Sequence, residues 1–346
     1  MKSKGRRALL VVCAAAWHAG PASAETVEQF YRGRTLTMVI SVVGGEGFGI
    51  NGRIVATHMS RHLPGNPVII PKYMPGAGHV LAANYLATEA PRDGSTLATI
   101  APNIILHQLL DGRGVRYDIA KFNWLGASEY GNQAVYAWHA TGLRRLEDVM
   151  TREVLAGGTG AGSFTVLYPA LMNSLIGTRF RIVAGYKTTR EIDLALQRGE
   201  VEVRAGQSFT SLKTYNAEWL RDRKITILAQ VGRQRDPDFA DVPVLTEYAR
   251  SEAARRILEL FEVQLTVGRP FLAPPDVPPD RLEALRLAFE RTMQDEAFLA
   301  DAAKAGMDAT ALSAATVTEI VQRVAATPPD LIAAAKRAKG EADTLR

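Results

Sequence analysis

The sequence is poor in cysteine. Its single cysteine, Cys13, lies in an N-terminal segment that we expect to be cleaved off. The remaining chain then has no thiol, which excludes disulfides, zinc–thiolate sites and a cysteine nucleophile. A lipid anchor at Cys13 is disfavoured, because Val12 stands where a lipoprotein signal needs a small residue.

The chain also lacks a large excess of charge of one sign. It has 41 basic and 36 acidic residues, but the first 24 residues hold four of the basic and none of the acidic ones. The rest of the chain is therefore nearly balanced, with 37 basic against 36 acidic residues. Such a balance gives no electrostatic footprint for nucleic acid, so we expect no nucleic-acid partner.

Long apolar runs are missing after the N-terminus, where no segment approaches the ~20 residues of a membrane span. The N-terminus itself has a basic start, an apolar run at 8–19 and the small residues Ala22-Ser23-Ala24. This pattern predicts a secretory signal peptide at 1–24 with cleavage near Ala24. The alternative, a retained membrane anchor, needs a longer apolar run.

Two stretches share the order strand, glycine-rich loop, helix. The first covers residues 35–62 and has its loop at Val43–Arg53; the second covers residues 154–175 and has its loop at Gly157–Ser163. Glycine has no Cβ, so such loops can bring backbone N–H groups close to a ligand. The following helix N-terminus favours an anion.

The alternation of strands and helices predicts an α/β protein with mostly parallel sheets in two lobes that face each other across a cleft. We expect Leu265–Val267 to be a strand, the region of Pro237 and Pro243 to be irregular, and the C-terminal helices to pack on the first lobe. The predicted ranges are 25–128 for lobe 1, 129–228 for lobe 2, and 229–346 for the second part of lobe 1 with the C-terminal helices.

Short motifs along most of the chain form an ordered set: Phe30–Arg34, Val43–Arg53, Met74–Gly78, Lys121–Trp124, Gly160–Ser163, Gly199–Arg204 and Gly268–Pro275. Together they resemble the extracytoplasmic substrate-binding receptors of the tripartite tricarboxylate transporter system, the Bug-type or TctC-like solute receptors. The resemblance implies a two-lobed periplasmic binding protein fold of the Venus flytrap type, type II-like, with two crossover hinge strands.

The resemblance also implies a function. A receptor of this kind captures a small carboxylated solute in the periplasm and delivers it to membrane transporter subunits. It implies no catalysis, no cofactor and no metal. The ligand-binding residues that follow from it and from the loop patterns are Gly45, Glu46, Gly47, Phe48, Gly49, Gly78, His79, Thr159, Gly160, Ala161, Gly162, Ser163, Tyr186, Arg204, Gln207 and Ser208.

The first loop departs from the family pattern. Glu46 stands where the family usually has glycine, and Gly49 stands where it usually has aspartate. Glu46 in the cleft would favour a ligand ammonium or hydroxyl, so a zwitterion is possible as well as a carboxylate. The alternative is that Glu46 is solvated or pairs with Arg53. Phe48 can flank a ligand or fill the core of its own lobe.

Other candidates also have structural alternatives. Ser163 can cap the following helix, and His79 can be solvated at a helix start. Arg204 can bind a ligand carboxylate or form an ion pair with Glu202, which lies on the same strand face. His58 and His62 have a spacing that can bind metal, but no third ligand is evident.

Three functions remain to be compared. A transport receptor and a receptor coupled to a sensor kinase need the same cleft, so neighbouring genes would separate them. A secreted hydrolase is disfavoured, because the serine of Gly160–Ser163 lacks the flanking glycines of a nucleophile elbow.

Overall fold

A computed structural model describes residues 25–45, 47–160, 163–307 and 309–344. The strands are β1 (Thr35–Ile40), β2 (Val68–Tyr73), β3 (Thr96–Thr99), β4 (Asn123–Ala127), β5 (Gln133–Trp138), β6 (Val154–Gly158), β7 (Phe180–Ala184), β8 (Val203–Ser208), β9 (Ile225–Val231), β10 (Pro270–Ala273) and β11 (Leu312–Ser313).

Helices connect and cover these strands. They are α1 (Val27–Tyr31), α2 (Gly47–Met59), α3 (Val80–Thr88), α4 (Asn103–Leu110), α5 (Asp148–Thr151), α6 (Phe164–Leu175), α7 (Thr189–Arg198), α8 (Phe209–Tyr215), α9 (Ala217–Arg221), α10 (Glu252–Thr266), α11 (Pro279–Gln294), α12 (Glu296–Lys304), α13 (Ala314–Ala325) and α14 (Pro329–Thr344).

The strands form two mixed sheets that share one topology. The first sheet has the order β11-β4-β10-β3-β1-β2, and the second has the order β7-β6-β8-β5-β9. In each, three strands run parallel, and the next strand, β10 or β5, is antiparallel to them. The expected α/β architecture in two halves is confirmed. The prediction of mostly parallel sheets is wrong, because the crossover strands β10 and β5 and the strands beyond them pair antiparallel.

Small residues allow α2 to lie close to the first sheet. A Cβ added to Gly52 would stand 2.8 Å from Thr99 Cγ2 and 2.9 Å from Ile40 Cδ1. One added to Gly49 would stand 2.6 Å from the Val43 carbonyl oxygen. Two glycines of the first loop therefore serve the packing of α2 on β1 and β3.

Two extended segments cross between the sheets. Residues 128–132 lead from β4 to β5, and residues 267–269 lead from α10 to β10. Ser128 N–H donates to Arg269 O at 3.0 Å, and Arg269 N–H donates to Glu129 O at 3.1 Å. Gly268 has a φ of +41°, and a Cβ there would stand 1.9 Å from Glu129 O, so this approach requires glycine.

Helix α10 corrects one sequence prediction. Leu265 lies in its last turn, so the predicted strand at Leu265–Val267 is wrong. Ser251 caps the helix by accepting from Ala254 N–H, and buried residues recur every three to four positions, as at Ile257 and Phe261. The β-branched residues near 265 favour a strand locally, but the longer helical period prevails.

The C-terminal helices divide between the two sheets. Helices α11 and α12 pack on α2, and α13 packs on β4, as expected for the first lobe. Helix α14, by contrast, packs on α6 of the second sheet and also contacts α4. Its Leu331 and Ala335 are buried in a core cluster that includes Leu171 of α6. The exact lobe boundaries stay a prediction.

Within the described residues, no helix combines the length and apolar character that crossing a membrane requires.

Candidate functional site

A cavity of about 500 Å³ lies where the two crossovers run between the sheets. A larger cavity, of about 730 Å³, lies between α11 and α13, but the described residues that line it all belong to the first half. The crossover cavity is lined from both sheets: Phe48, Ala101, Pro102, Asn103, Glu129, Tyr130, Gly131, Asn132, Gln133, Phe164, Ser208, Phe209, Thr210, Lys213, Asp236, Gln264, Leu265, Gly268, Arg269 and Thr310.

Its location follows from the topology. Asn103 begins α4 just after β3, Phe164 begins α6 after β6, and Ser208 ends β8. The carboxyl ends of parallel strands from both sheets therefore face this space, which is where open α/β sheets bind ligands. Its size lies within the range of small-molecule sites.

Arg269 is the cation at the crossover wall. Its Nε lies 2.8 Å from Glu129 Oε2 on the other crossover. Its Nη1 donates to the Gly47 carbonyl oxygen at 2.7 Å. The side chain thus ties both crossovers to the start of α2.

Lys213 of α8 is the cation on the second-sheet wall. Its ammonium contacts Asp238 and lies 3.7 Å from Asp236 Oδ1. Two hydrogen bonds fix the position of Asp236: its carboxylate accepts from Asp238 N–H at 2.9 Å, and its backbone N–H donates to the Gln230 side chain. One ammonium therefore stands beside two carboxylates.

Among the described residues of the first loop, only Phe48 lines the cavity. The same ring packs against the core cluster of the first sheet, as the second interpretation of Phe48 expected, whereas its contact with a ligand stays a prediction. The Gly47 carbonyl oxygen accepts from the Arg269 side chain. A Cβ added to Gly45 would have no atom within 4 Å. Glu46 lies outside the described residues.

The turn before α3 is tied to the neighbouring loops. Gly78 and His79 have φ values of +59° and +76°. His79 Nδ1 lies 3.0 Å from the Ser41 carbonyl oxygen, and Asn103 Nδ2 donates to Gly78 O at 3.1 Å. Ser41 Oγ also accepts from Ala101 N–H. These bonds hold three strand-end loops together behind the cavity, which neither Gly78 nor His79 lines.

Hydroxyl groups organise the second loop. Thr165 Oγ1 accepts from Thr159 N–H at 3.0 Å and lies 3.1 Å from Thr159 Oγ1 and 2.8 Å from Ser163 Oγ. Ser163 occupies the N-cap position of α6, but its side chain makes no cap hydrogen bond. The expected side-chain cap is therefore not formed. Ala161 and Gly162 lie outside the described residues.

The glycines of the second loop have two different roles. A Cβ added to Gly157 would stand 2.5 Å from Ile192 Cγ2, and one added to Gly158 would stand 2.6 Å from Val166 Cγ2. Gly160 has nothing within 4 Å. Gly157 and Gly158 thus allow β6 to pack, whereas Gly160 faces open space.

Arg204 lies away from the cavity, in a buried polar network. It is 5% exposed and pairs with Asp193 through Nη1. The Tyr136 hydroxyl lies 3.2 Å from Asp193 and 2.6 Å from Gln207, which donates to Asn216 at 2.8 Å. Burial raises the pKa of Tyr136.

Glu202, the alternative ion-pair partner of Arg204, binds other groups. Glu202 accepts from Arg152 at 2.7 Å and from Leu155 N–H at 3.0 Å. Burial opposes ionisation of Glu202, but these bonds outweigh it and lower its pKa. The ion pair between Arg204 and Glu202 is therefore not formed.

The two remaining candidates differ in position. Ser208 lines the cavity and caps α8, where its Oγ accepts from Ser211 N–H at 3.1 Å. Tyr186 instead packs on the outer core cluster of the second sheet. Burial, with a contribution from Glu200, raises the pKa of Tyr186.

The helical histidines have structural partners. His58 Nε2 lies 3.1 Å from Asp301 Oδ2, and His62 Nε2 lies 2.9 Å from Asp295 Oδ2. These contacts join α2 to α12. In the described part of the chain, no group of three or more histidine, cysteine or acidic residues is arranged to hold a metal ion.

Sequence reasoning missed the charged groups of the cavity, namely Arg269, Glu129, Lys213 and Asp236. Arg269 did stand inside a quoted motif, between Gly268 and Pro270. A glycine and a proline around a lone cation mark a chain reversal or crossover, and that signal could have selected it. Lys213 and Asp236 carry no such signal, because 22 residues of ordinary sequence separate them.

No family model and no curated protein matches the chain. Solved structures do. A TctC solute-binding protein from Polaromonas, without ligand, is 19% identical over 90% of this chain and 98% of its own, with a TM-score of 0.70. MatC from Rhodopseudomonas palustris, with bound malate, is 20% identical over 88% and 99%, with a TM-score of 0.54.

A third structure, an R. palustris protein with adipate, is 18% identical over 89% of this chain and 97% of its own, with a TM-score of 0.55. At such identities the comparisons establish the fold. The chain has the two-lobed architecture of the TctC-type periplasmic binding proteins, as the sequence resemblance implied.

Proposed function

We propose that this protein is an extracytoplasmic receptor that captures a small carboxylated solute between its lobes. One observation carries the proposal: a cavity of about 500 Å³ lies at the two crossovers and is lined by strand ends of both sheets. A solute held there contacts both halves and the crossovers between them, as a two-lobed receptor requires.

The mechanism is a population shift between open and closed lobes. A solute that contacts Asn103 on the first side and Ser208 on the second makes both contacts only when the lobes are close. It therefore stabilises the closed state by its differential affinity for that state. The paired backbone of residues 128–129 and 269 is the flexible connection about which the lobes rotate.

Arg269 supports a carboxylate as the captured group. Guanidinium binds carboxylate through two parallel donors, and the Arg269 side chain lines the cavity and is 22% exposed. The neighbours with malate and adipate hold carboxylates within the same fold.

The proposed contact set combines the two loops and the cavity wall. Phe48 and Ser208 line the cavity. Gly45 and Gly160 have open space where a side chain would stand, and Gly47 contacts the Arg269 side chain through its carbonyl oxygen. We retain the Thr159–Ser163 loop as a proposed contact region, reached as the lobes close. Arg204, Gln207 and Tyr186 are left out of the set because their side chains serve packing and buried hydrogen bonds.

Export and delivery complete the proposal. The basic, apolar and small-residue pattern of 1–24 supports export to the periplasm. There the closed receptor would deliver its solute to the membrane subunits of a tripartite tricarboxylate-type transporter.

The binding test uses the chain from residue 25 onward, purified and freed of carried-over ligand. Thermal unfolding is followed with succinate, malate and adipate, and with succinamide as the uncharged control. A solute at about 100 times its Kd stabilises the folded state by about 2.7 kcal/mol. A rise in Tm with one or more acids and none with the amide supports the proposal; stabilisation by the amide alone contradicts carboxylate capture.

Transport is tested in cells that lack the gene. Uptake of the radiolabelled solute is expected to fall and to return on complementation. Unchanged uptake together with a lost transcriptional response to the solute would identify a receptor for a sensor kinase instead.

A further inference from the structure

The charges of the described cavity lining are balanced. Arg269 and Lys213 contribute two positive charges, and Glu129 and Asp236 contribute two negative ones. Asp238, just outside the lining, contacts Lys213 and adds one more negative charge. The described groups therefore give no net positive potential to hold a dianion.

The pairing shows how each cation is compensated. Glu129 Oε2 stands 2.8 Å from Arg269 Nε, so the crossover wall carries a neutral pair. Lys213 stands between Asp238 and Asp236, so the second-sheet wall carries one cation and two carboxylates. A positive group on the solute is favoured at the second wall, and a single carboxylate is favoured at Arg269.

Because ligands lose hydration when they enter the cavity, the balanced charges of its lining discriminate between ligands of different charge. A dicarboxylate loses the hydration of two negative charges on entering the cavity, and only attraction to unpaired cations can offset that loss. A solute with one carboxylate and one ammonium meets a complementary charge for each group. Charge complementarity of this kind discriminates between ligands more than it adds affinity.

We propose, on the basis of the proposed function, that the solute is an amino carboxylate with no net charge, and that Glu129 is the residue that disfavours dicarboxylates. Because Glu129 offsets the charge of Arg269, the guanidinium can donate hydrogen bonds to one carboxylate but adds no net positive charge that would attract a second. Its carboxylate on the crossover opposite Arg269 is thus a specificity determinant of the cavity.

The test compares solutes that differ only in their second charged group. Calorimetry measures the Kd of 4-aminobutyrate against succinate, and of 6-aminohexanoate against adipate. In the wild type, the amino acid of a pair is expected to bind at least about tenfold more tightly, a difference of about 1.4 kcal/mol. Glu129→Gln is expected to move the ratio toward the dicarboxylate by about the same factor.

A matched control makes the same change outside the cavity. Glu247→Gln removes the carboxylate that pairs with Arg235, which is likewise a glutamate–arginine ion pair. It is expected to leave the ratio unchanged. If Glu129→Gln does not fold, Asp236→Asn tests the same balance from the other wall, because asparagine retains the oxygen that accepts from Asp238 N–H.

The outcomes separate the two proposals. If dicarboxylates bind more tightly than their amino partners and Glu129→Gln leaves that ratio unchanged, this inference is overturned while the receptor function stands. If no acid of either kind binds, the receptor function and this inference fall together.

Discussion

Arg204 and Arg269 stand in regions built for different purposes. Arg204 lies inside the second half, 5% exposed, with Asp193 as its ion partner. Arg269 lies on a crossover, with a side chain that is 22% exposed and contacts both Glu129 and the Gly47 carbonyl oxygen. The sequence favoured Arg204 as the ligand group because it lies near a strand end. The structure shows that burial and existing partners decide which cation remains available.

The surroundings of the two arginines reinforce this difference. Around Arg204, the hydroxyl and amide groups of Tyr136 and Gln207 are used within the fold. Around Arg269, the contacts join separate parts of the chain: the opposite crossover and the first turn of α2. The first region is therefore expected to determine stability, and the second to determine binding.

The largest effect is expected for Asp193→Ala. This change leaves the Arg204 guanidinium buried without its counter-ion, which costs about 3–5 kcal/mol of the free energy of unfolding. Urea unfolding measures the loss. The exposed pair of Arg221 and Asp222 provides the control, because water screens its charges and Asp222→Ala is expected to cause a much smaller loss. Equal losses of stability in the two variants would show that the buried ion pair of Arg204 matters no more than an exposed one.

Arg269→Gln is expected to act on binding. Loss of a charged hydrogen bond to the solute costs about 1.5–3 kcal/mol, so the Kd rises by about 10- to 150-fold. Calorimetry with the solute found by thermal unfolding measures it. Arg291, in the last turn of α11, serves as a surface control through Arg291→Gln. An unchanged Kd for Arg269→Gln would exclude the residue from the site.

Two alanine substitutions compare glycines within one loop. Gly157→Ala forces a methyl group to 2.5 Å from Ile192 Cγ2, and such overpacking costs about 1–3 kcal/mol of stability. Gly160→Ala meets open space and is expected to change stability by less than about 0.5 kcal/mol. Gly160→Leu is then expected to weaken solute binding without unfolding the protein. Normal binding by folded Gly160→Leu would remove this loop from the contact set.

The smallest effect concerns Glu262, which is buried like Arg204 but has no ion partner among the described residues. Burial, with repulsion from Glu259, raises the pKa of Glu262 well above its usual value. The folded state therefore favours the neutral carboxyl. Its contribution to stability is complete below the unfolded pKa of about 4.3 and is lost as the pH rises toward the folded pKa.

Glu262→Gln removes this penalty. The variant is expected to match the wild type near pH 4 and to be more stable near pH 8, with a gain that grows over that interval. Urea unfolding at several pH values measures it. Glu252→Gln, at an exposed position of the same helix, is expected to show no such trend. A constant difference across pH would mean that Glu262 is ionised in the folded protein.

Much of the fold could be predicted because it depends on local patterns. The strand–glycine loop–helix order at 35–62 and 154–175 predicted the two halves, and both became parallel β-α units in sheets of the same topology. Helix α10 was missed, although Ser251 and the apolar spacing up to Leu265 indicated it. The position of α14 across both halves could not be predicted, since an alanine-rich amphipathic helix can pack on either half.

The site was predictable only in part. Phe48 was identified from the glycine loop that precedes a helix, and Ser208 from the strand end that the family resemblance implied; both line the cavity. Glu129 and Arg269 meet only because two crossovers 140 residues apart pair through their backbones. Neither residue has a local signature that announces its partner.

The sequence by itself determined the α/β chain pattern, the two glycine loops and the lack of any thiol after residue 24. Tertiary structure decided which glycines serve packing, as at Gly52 and Gly157, and which face open space, as at Gly160. It also decided that Arg204 is a buried structural cation and Arg269 the accessible one. The reason is physical: the availability of a backbone or a charge depends on the atoms that surround it, and those come from distant parts of the chain.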